Sequence, residues 1–209
     1  MTLKAAIFDW DGTITDSNNI KTEAFVELFQ NACPQAAGYI REYQQNRGGI
    51  SRFEKFRHYI RHFFHREASA AELEDFGRRY AALCRQKLLN APFIPGAVET
   101  LHKLSGAKIP VFIVPGSPAA EIRELASARN LLPLIHHIYG SPPTKDVLLA
   151  ALLAENRLVP EETVFFGDAP TDCEAARINK IPFIGICPGK KNSPFPPHTT
   201  VVSAIDLDI

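Results

Sequence analysis

Residues 4–16 read Lys4-Ala5-Ala6-Ile7-Phe8-Asp9-Trp10-Asp11-Gly12-Thr13-Ile14-Thr15-Asp16. The apolar run Ala5–Phe8 predicts a short strand buried on both faces. It stops abruptly at two aspartates one residue apart. Side chains alternate along an extended chain, so Asp9 and Asp11 point the same way past the carboxyl end of the strand. Two carboxylates held that close repel unless a cation or a shared proton relieves them. Gly12 lets the chain turn sharply straight after them. The pattern suggests a divalent metal, with one carboxylate as nucleophile and the other as acid/base. Asp-Gly also closes hairpins, and a plain Asp-rich turn is the competing reading of this stretch.

Downstream, a second apolar run ends in the same way. Phe165-Phe166-Gly167-Asp168-Ala169-Pro170-Thr171-Asp172 places two further carboxylates at a strand's end, and Asp168 and Asp172 add hard oxygen ligands to Asp9 and Asp11, completing a magnesium site. Asp172 as the N-cap of a following helix is the simpler alternative. In the order of the chain, the two acidic stretches resemble motifs I and IV of the haloacid dehalogenase-like superfamily of phosphotransferases. Between them, Gly140-Ser141-Pro142-Pro143-Thr144-Lys145 resembles motif III, with the lysine opening a helix. The resemblance implies that Asp9 attacks phosphorus, that Asp11 serves as acid and then base, and that Lys145 balances charge at the nucleophile. The superfamily's motif II ends its second strand in Ser or Thr. Here that strand runs Ile113-Val114-Pro115-Gly116-Ser117, which puts Pro115 at the hydroxyl position and leaves Gly116 and Ser117 to contact the phosphoryl group.

The remaining pattern agrees with an α/β fold. From Gly96 onward, helical segments alternate with apolar runs at Val111–Val114, His137–Tyr139, Thr163–Phe166, Pro182–Ile186 and Thr200–Val202, the signature of a parallel sheet. In such sheets ligands sit outside the carboxyl ends of the strands. Residues 17–91 lack strand signals and read as helices, with segments at Ala37–Gln45, Arg52–Phe64 and Ala70–Leu89. The expected division is a Rossmann-like core, residues 1–16 and 92–209, with an inserted helical cap, residues 17–91. By resemblance this is the cap of the subfamily that holds phosphoglycolate phosphatase and β-phosphoglucomutase.

Within the cap, Ser51-x-x-Glu54 predicts a capping box after the flexible Gly48-Gly49 pair. Arg47, Arg52 and Lys55 cluster there, and Arg52 and Lys55 are candidate contacts to an acidic or phosphorylated substrate. His58, His62 and His65 share one helix face and read as a solvated polar surface, with a zinc site as the alternative.

Composition bounds the partners. The 209 residues carry 23 basic and 23 acidic side chains, so no global field argues for nucleic acid or a membrane surface. Four scattered cysteines, with no Cys-x-x-Cys pair, fit reduced thiols in a cytoplasmic protein. A core strand at the N-terminus leaves no room for a signal peptide, and the one biased segment is the Pro-rich loop 188–197. The expectation is a magnesium-dependent phosphatase of a small phosphorylated metabolite, working as a monomer or homodimer. A phosphomutase of the same fold and a non-catalytic ligand-binding protein on the same scaffold are the alternatives.

Overall fold

The computed structural model describes residues 3–189 and 193–207, so part of the Pro-rich loop lies outside the described residues. Six parallel strands form one sheet: β1 (Ala5–Phe8), β2 (Val111–Ile113), β3 (His137–Ile138), β4 (Thr163–Gly167), β5 (Phe183–Ile186) and β6 (Thr200–Val202). Their order across the sheet is β3-β2-β1-β4-β5-β6. The chain builds outward from β1 in one direction, returns, and continues from β4 in the other. The point of reversal, between β1 and β4, opens a crevice at the carboxyl ends of the strands.

The alternation of β1 explains why it occupies the centre. Ala6 and Phe8 face one apolar cluster, while Ala5 and Ile7 face another. Phe8 lies opposite Phe166 of β4, and their rings stack at 4.7 Å. The Ala5/Ile7 face is covered by α7 (Lys145–Asn156) and α8 (Pro170–Ile178), through Leu148, Leu149, Leu152, Ala175 and Ala176. The Ala6/Phe8 face packs against α5 (Ala97–Gly106) and α6 (Ala119–Ala128).

Between β1 and α5 lie four helices: α1 (Asn18–Phe29), α2 (Ala36–Asn46), α3 (Arg52–Phe64) and α4 (Ala70–Leu89). They pack through aromatic rings. Phe29 stacks on Phe76 at 4.8 Å, Phe25 meets Tyr80 at 4.5 Å, and Phe56 and Tyr59 fill the space between. The chain enters and leaves this bundle through two adjacent strips of backbone, joined by the Asp16 N–H to the Pro92 carbonyl at 2.8 Å and the Ile94 N–H to the Ile14 carbonyl at 3.0 Å.

Local details depart from expectation at three points. Ser51 caps α3 by accepting from the Phe53 N–H at 3.4 Å, but Glu54 is exposed and does not reach back, so no capping box forms there. The reciprocal box belongs to α4, where Ser69 and Glu72 exchange hydrogen bonds. Helix α8 begins at Pro170, so that Asp172 lies in its first turn and is not its N-cap residue, because proline at a first helical position gives up an N–H that would have no helical partner. The histidine face of α3 is half covered. His62 stacks on Tyr39 at 3.9 Å and His58 on Tyr43 at 4.1 Å, with the Tyr39 hydroxyl 2.7 Å from His58 Nε2. No disulfide joins the four cysteines.

Candidate active site

The two acidic stretches meet at the reversal point of the sheet. Asp9 follows β1 and Asp168 follows β4, on neighbouring strands, and Asp172 projects from the first turn of α8. One oxygen from each of Asp9, Asp168 and Asp172 lies within 4.8 Å of the others. Hard carboxylate oxygens so grouped match what a divalent cation such as magnesium takes. Lys145, in the first turn of α7, is buried beneath them, 2.9 Å from Asp9 Oδ1 and 2.5 Å from Asp172 Oδ1. The Asp172 carboxylate also accepts from the Ala169 N–H at 3.0 Å, which fixes its rotamer and ties the α8 start to the site. Asp9 Oδ1 accepts from the Trp10 N–H at 2.7 Å. Asp168 accepts from Asn18 of α1 at 2.6 Å.

Charge is unevenly relieved. Burial pushes the Asp9 carboxyl well above the usual carboxylate range; Lys145 pulls against this, and Asp172, Asp168 and Asp11 add to it by repulsion. A cation among these carboxylates would remove that repulsion, and the donor set fits one. Lys145 is opposite in sense. Burial disfavours its charge, but Asp172 and Asp9 outweigh burial and hold it protonated.

Asp11 stands apart from the expected four-carboxylate cluster. Its side chain is turned toward Lys21 of α1, with which it forms a close ion pair, and toward Ser17, whose hydroxyl donates to Oδ1 at 2.6 Å. Burial would raise the Asp11 carboxyl, yet the Lys21 charge and the hydrogen bonds from Lys21 and Ser17 hold it below its ordinary value. The physical reason for its departure is the ammonium, a nearer and more complete partner than a site already crowded with three carboxylates.

Lys21 also donates to the Ser117 hydroxyl at 2.7 Å. Ser117 is buried, so its hydroxyl lies within the site, linked to Asp11 through Lys21. Gly116 and Ser117 line the same cavity of about 610 Å³ as Asp9, Asp11 and Asp168. Pro115 does not; it lines a second cavity of about 350 Å³ beyond the Gly48-Gly49 loop.

The helical bundle closes the cavity from above. The Gly48 carbonyl accepts from the Thr171 hydroxyl at 2.9 Å. A Cβ on Gly116 would sit 2.8 Å from the Gly49 carbonyl oxygen, and Gly49 itself has φ +74°. Of the two candidate substrate cations on α3, Arg52 is committed elsewhere: it pairs with Glu121 of α6 at 2.5 Å and lies over the Tyr80 ring at 4.9 Å. Lys55 donates to Gln44 Oε1 at 2.6 Å. Lys21, Asn18, Gln44 and Glu121 escaped the sequence reading. In sequence Lys21 stands with Glu23 and Glu27 among the polar positions of α1, and its one distinguishing signal is its place in the first helix after the acidic turn.

Comparison with known proteins places this geometry. The family model for haloacid dehalogenase-like hydrolases matches residues 3–178. The validoxylamine A 7'-phosphate phosphatase of Streptomyces hygroscopicus subsp. limoneus is 25% identical over 190 residues, covering 88% of this chain and 85% of that one. A haloacid dehalogenase-like hydrolase structure from Bacteroides fragilis superposes with a TM-score of 0.76 at 19% identity, covering 98% of both chains. CbbY from Rhodobacter sphaeroides, in complex with xylulose-(1,5)bisphosphate, superposes with a TM-score of 0.75 at 15% identity, covering 97% of this chain and 95% of that one.

Proposed function

Because this chain belongs to the haloacid dehalogenase-like hydrolase family, we propose that it is a phosphatase of a small phosphorylated metabolite, magnesium-dependent and working through an aspartyl-phosphate. The observation that carries the reading is Asp9: a buried carboxylate at the end of the central strand, 2.9 Å from a buried lysine and grouped with Asp168 and Asp172. The phosphatase and the bisphosphate complex among the similar proteins favour a phosphorylated substrate.

In this mechanism an Asp9 oxygen attacks phosphorus and the bond to the leaving alcohol breaks. Asp11 takes up a proton as the anionic substrate enters and gives it to the departing alkoxide, then withdraws one from the water that cleaves the aspartyl-phosphate, restoring Asp9. Lys145 holds positive charge against the nucleophile and the phosphoryl oxygens. Lys21 keeps Asp11 ionised in the free site, the form that the water step requires, and Ser117 anchors Lys21. Asp9, Asp168 and Asp172 would hold the magnesium ion, which when bound supplies charge neutralisation at the phosphoryl oxygens. Residues 17–91 act as a cap domain over a core of residues 1–16 and 92–209, excluding water when closed. No helix among the described residues is long and apolar enough to cross a membrane. We place the enzyme in the cytoplasm as a monomer or homodimer with a small-molecule substrate.

The test is single-turnover phosphate release from a panel of phosphorylated metabolites, with and without magnesium, beside Asp9→Asn. Release that needs magnesium, and falls by about 1,000-fold or more in the variant, supports the mechanism. Release that persists in Asp9→Asn would refute Asp9 as nucleophile.

A further inference from the structure

The Gly48-Gly49 loop has a cavity on each side. Gly48, Gly49, Ile50 and Gly116 line both, so the loop is the partition between the catalytic cavity and the smaller one of about 350 Å³. One wall of the smaller cavity is the segment 46–51, between α2 and α3. The other is core, built from Pro115, the segment 141–146 and the first turns of α8. A hydrogen bond and a close approach seat the loop on that core: Thr171 donates to the Gly48 carbonyl at 2.9 Å, and Gly116 has no room for a Cβ beside the Gly49 carbonyl. Lifting the loop removes one wall, so the cavity exists only while the loop is seated.

The lining decides what fits. Ile50, Pro115, Pro142, Pro143, Pro170 and Ile178 give the cavity an apolar surface, and Ile178 is left 52% exposed. A ligand that covers such surface gains the free energy of removing it from water. The charges of the lining do not balance. Glu54 and Asp146 have no ion-pair partner among the described residues, and Arg47 is the one unpaired cation beside them. Lys145 also reaches this wall, but its ammonium is held by Asp9 and Asp172, and Glu174 is held by Arg177. Glu54 and Asp146 lie in the first turns of α3 and α7, where the helix dipoles favour carboxylates. That accounts for their placement and still leaves the lining with an excess of negative charge.

We propose that this cavity is a second ligand site, which takes a compact apolar molecule bearing an amino group and binds it only when the Gly48-Gly49 loop is seated. Such a ligand stabilises the seated loop by the free energy of its own binding, and so acts on the catalytic cavity from the far side of the partition. The coupling is reciprocal: whatever seats the loop from the catalytic side strengthens the amine site. The site itself stands without the phosphatase reading, whereas its effect on turnover rests on that reading.

The experiment titrates the full chain calorimetrically with three probes of similar size: 2-phenylethylamine, 2-phenylethanol and phenylacetate. The amine should bind about 5-fold tighter than the alcohol, with the carboxylate weakest. Glu54→Gln should reduce that preference. Ile178→Lys, a change at an exposed position, should weaken the amine by about 10-fold, and Gly49→Ala, which hinders seating of the loop, by about 5-fold. No binding, or equal affinity for the three probes, would overturn the proposal. So would amine binding that survives Ile178→Lys, since the amine would then sit elsewhere. Binding that Ile178→Lys abolishes and Gly49→Ala leaves intact would overturn the dependence on the loop. In turnover of a phosphomonoester the amine should lower KM with kcat little changed, and an unchanged KM at saturating amine would overturn the coupling. The expected binding pattern with no turnover of any phosphomonoester would keep the site and reject the phosphatase reading.

Discussion

Lys21 shows how one side chain can set the state of another. Its ammonium sits between Asp11 and Ser117, and among the described residues it is the one cation in direct contact with Asp11. Replacing it with methionine should raise the Asp11 carboxyl, because burial is then opposed only by the Ser17 hydrogen bond and the more distant Arg52 charge. We expect Lys21→Met to lower kcat by about 10- to 100-fold and to move the acid limb of the pH–rate profile upward. A profile that keeps its shape would mean that Lys21 does not govern Asp11. At this scale the site was half legible. Asp9, Asp168, Asp172 and Lys145 could be found because each closes an apolar strand or opens a helix, and strand ends converge in a parallel sheet. Lys21 could not, since a lysine on a polar helix face looks like any other until the tertiary packing turns it inward. The orientation of Asp11 followed from Lys21, and so was missed with it. Ser117 was found for a partial reason: its position suggested phosphoryl contact, while its hydroxyl is engaged by Lys21.

The loop between α2 and α3 owes its shape to two glycines. Gly48 gives its carbonyl to Thr171, and Gly49 adopts φ +74° directly against the start of α8. A methyl group on Gly49 would run into the Thr171 hydroxyl and would also strain the backbone. Gly49→Ala should therefore leave the aromatic packing of α1–α4 intact and hinder the approach of this loop to the core. The expected signature is a KM raised by about 10-fold with a melting temperature within a few degrees of wild type. An unchanged KM would show that the loop does not need this close approach. The helices themselves were readable from apolar periodicity, to within a residue or two for most. Their ends were less so: the sequence offers Ser-x-x-Glu at Ser51 and again at Ser69, and only tertiary context decides which glutamate turns back.

Over the whole molecule, the buried ammonium of Lys55 ties stability to pH. Its folded pKa of about 8 lies below the ordinary 10.5. Between those values the unfolded chain binds more protons than the folded one, so this group's contribution to stability rises with pH across that window. Below about pH 8 the full cost of the buried charge is present. Lys55→Met should then stabilise the protein at pH 7 by about 1–3 kcal/mol, and urea midpoints of wild type and variant should converge as pH approaches 10.5. A variant less stable than wild type at pH 7 would show that the ammonium supports the fold. The α/β architecture was open to inference because alternating apolar runs and helices point to a parallel sheet, whereas the order of the strands came only from their pairing in the structure. The pairing of Arg52 with Glu121 was not, since it joins residues far apart in sequence across two helices. The same long-range view gives meaning to the backbone ribbon at Asp16–Pro92 and Ile14–Ile94. Because the chain departs from the sheet and rejoins it at one place, everything between is topologically a detour. Descendants of such a chain can lengthen, shorten or exchange that detour without re-threading a single strand, so the chemistry can be inherited while the choice of substrate drifts.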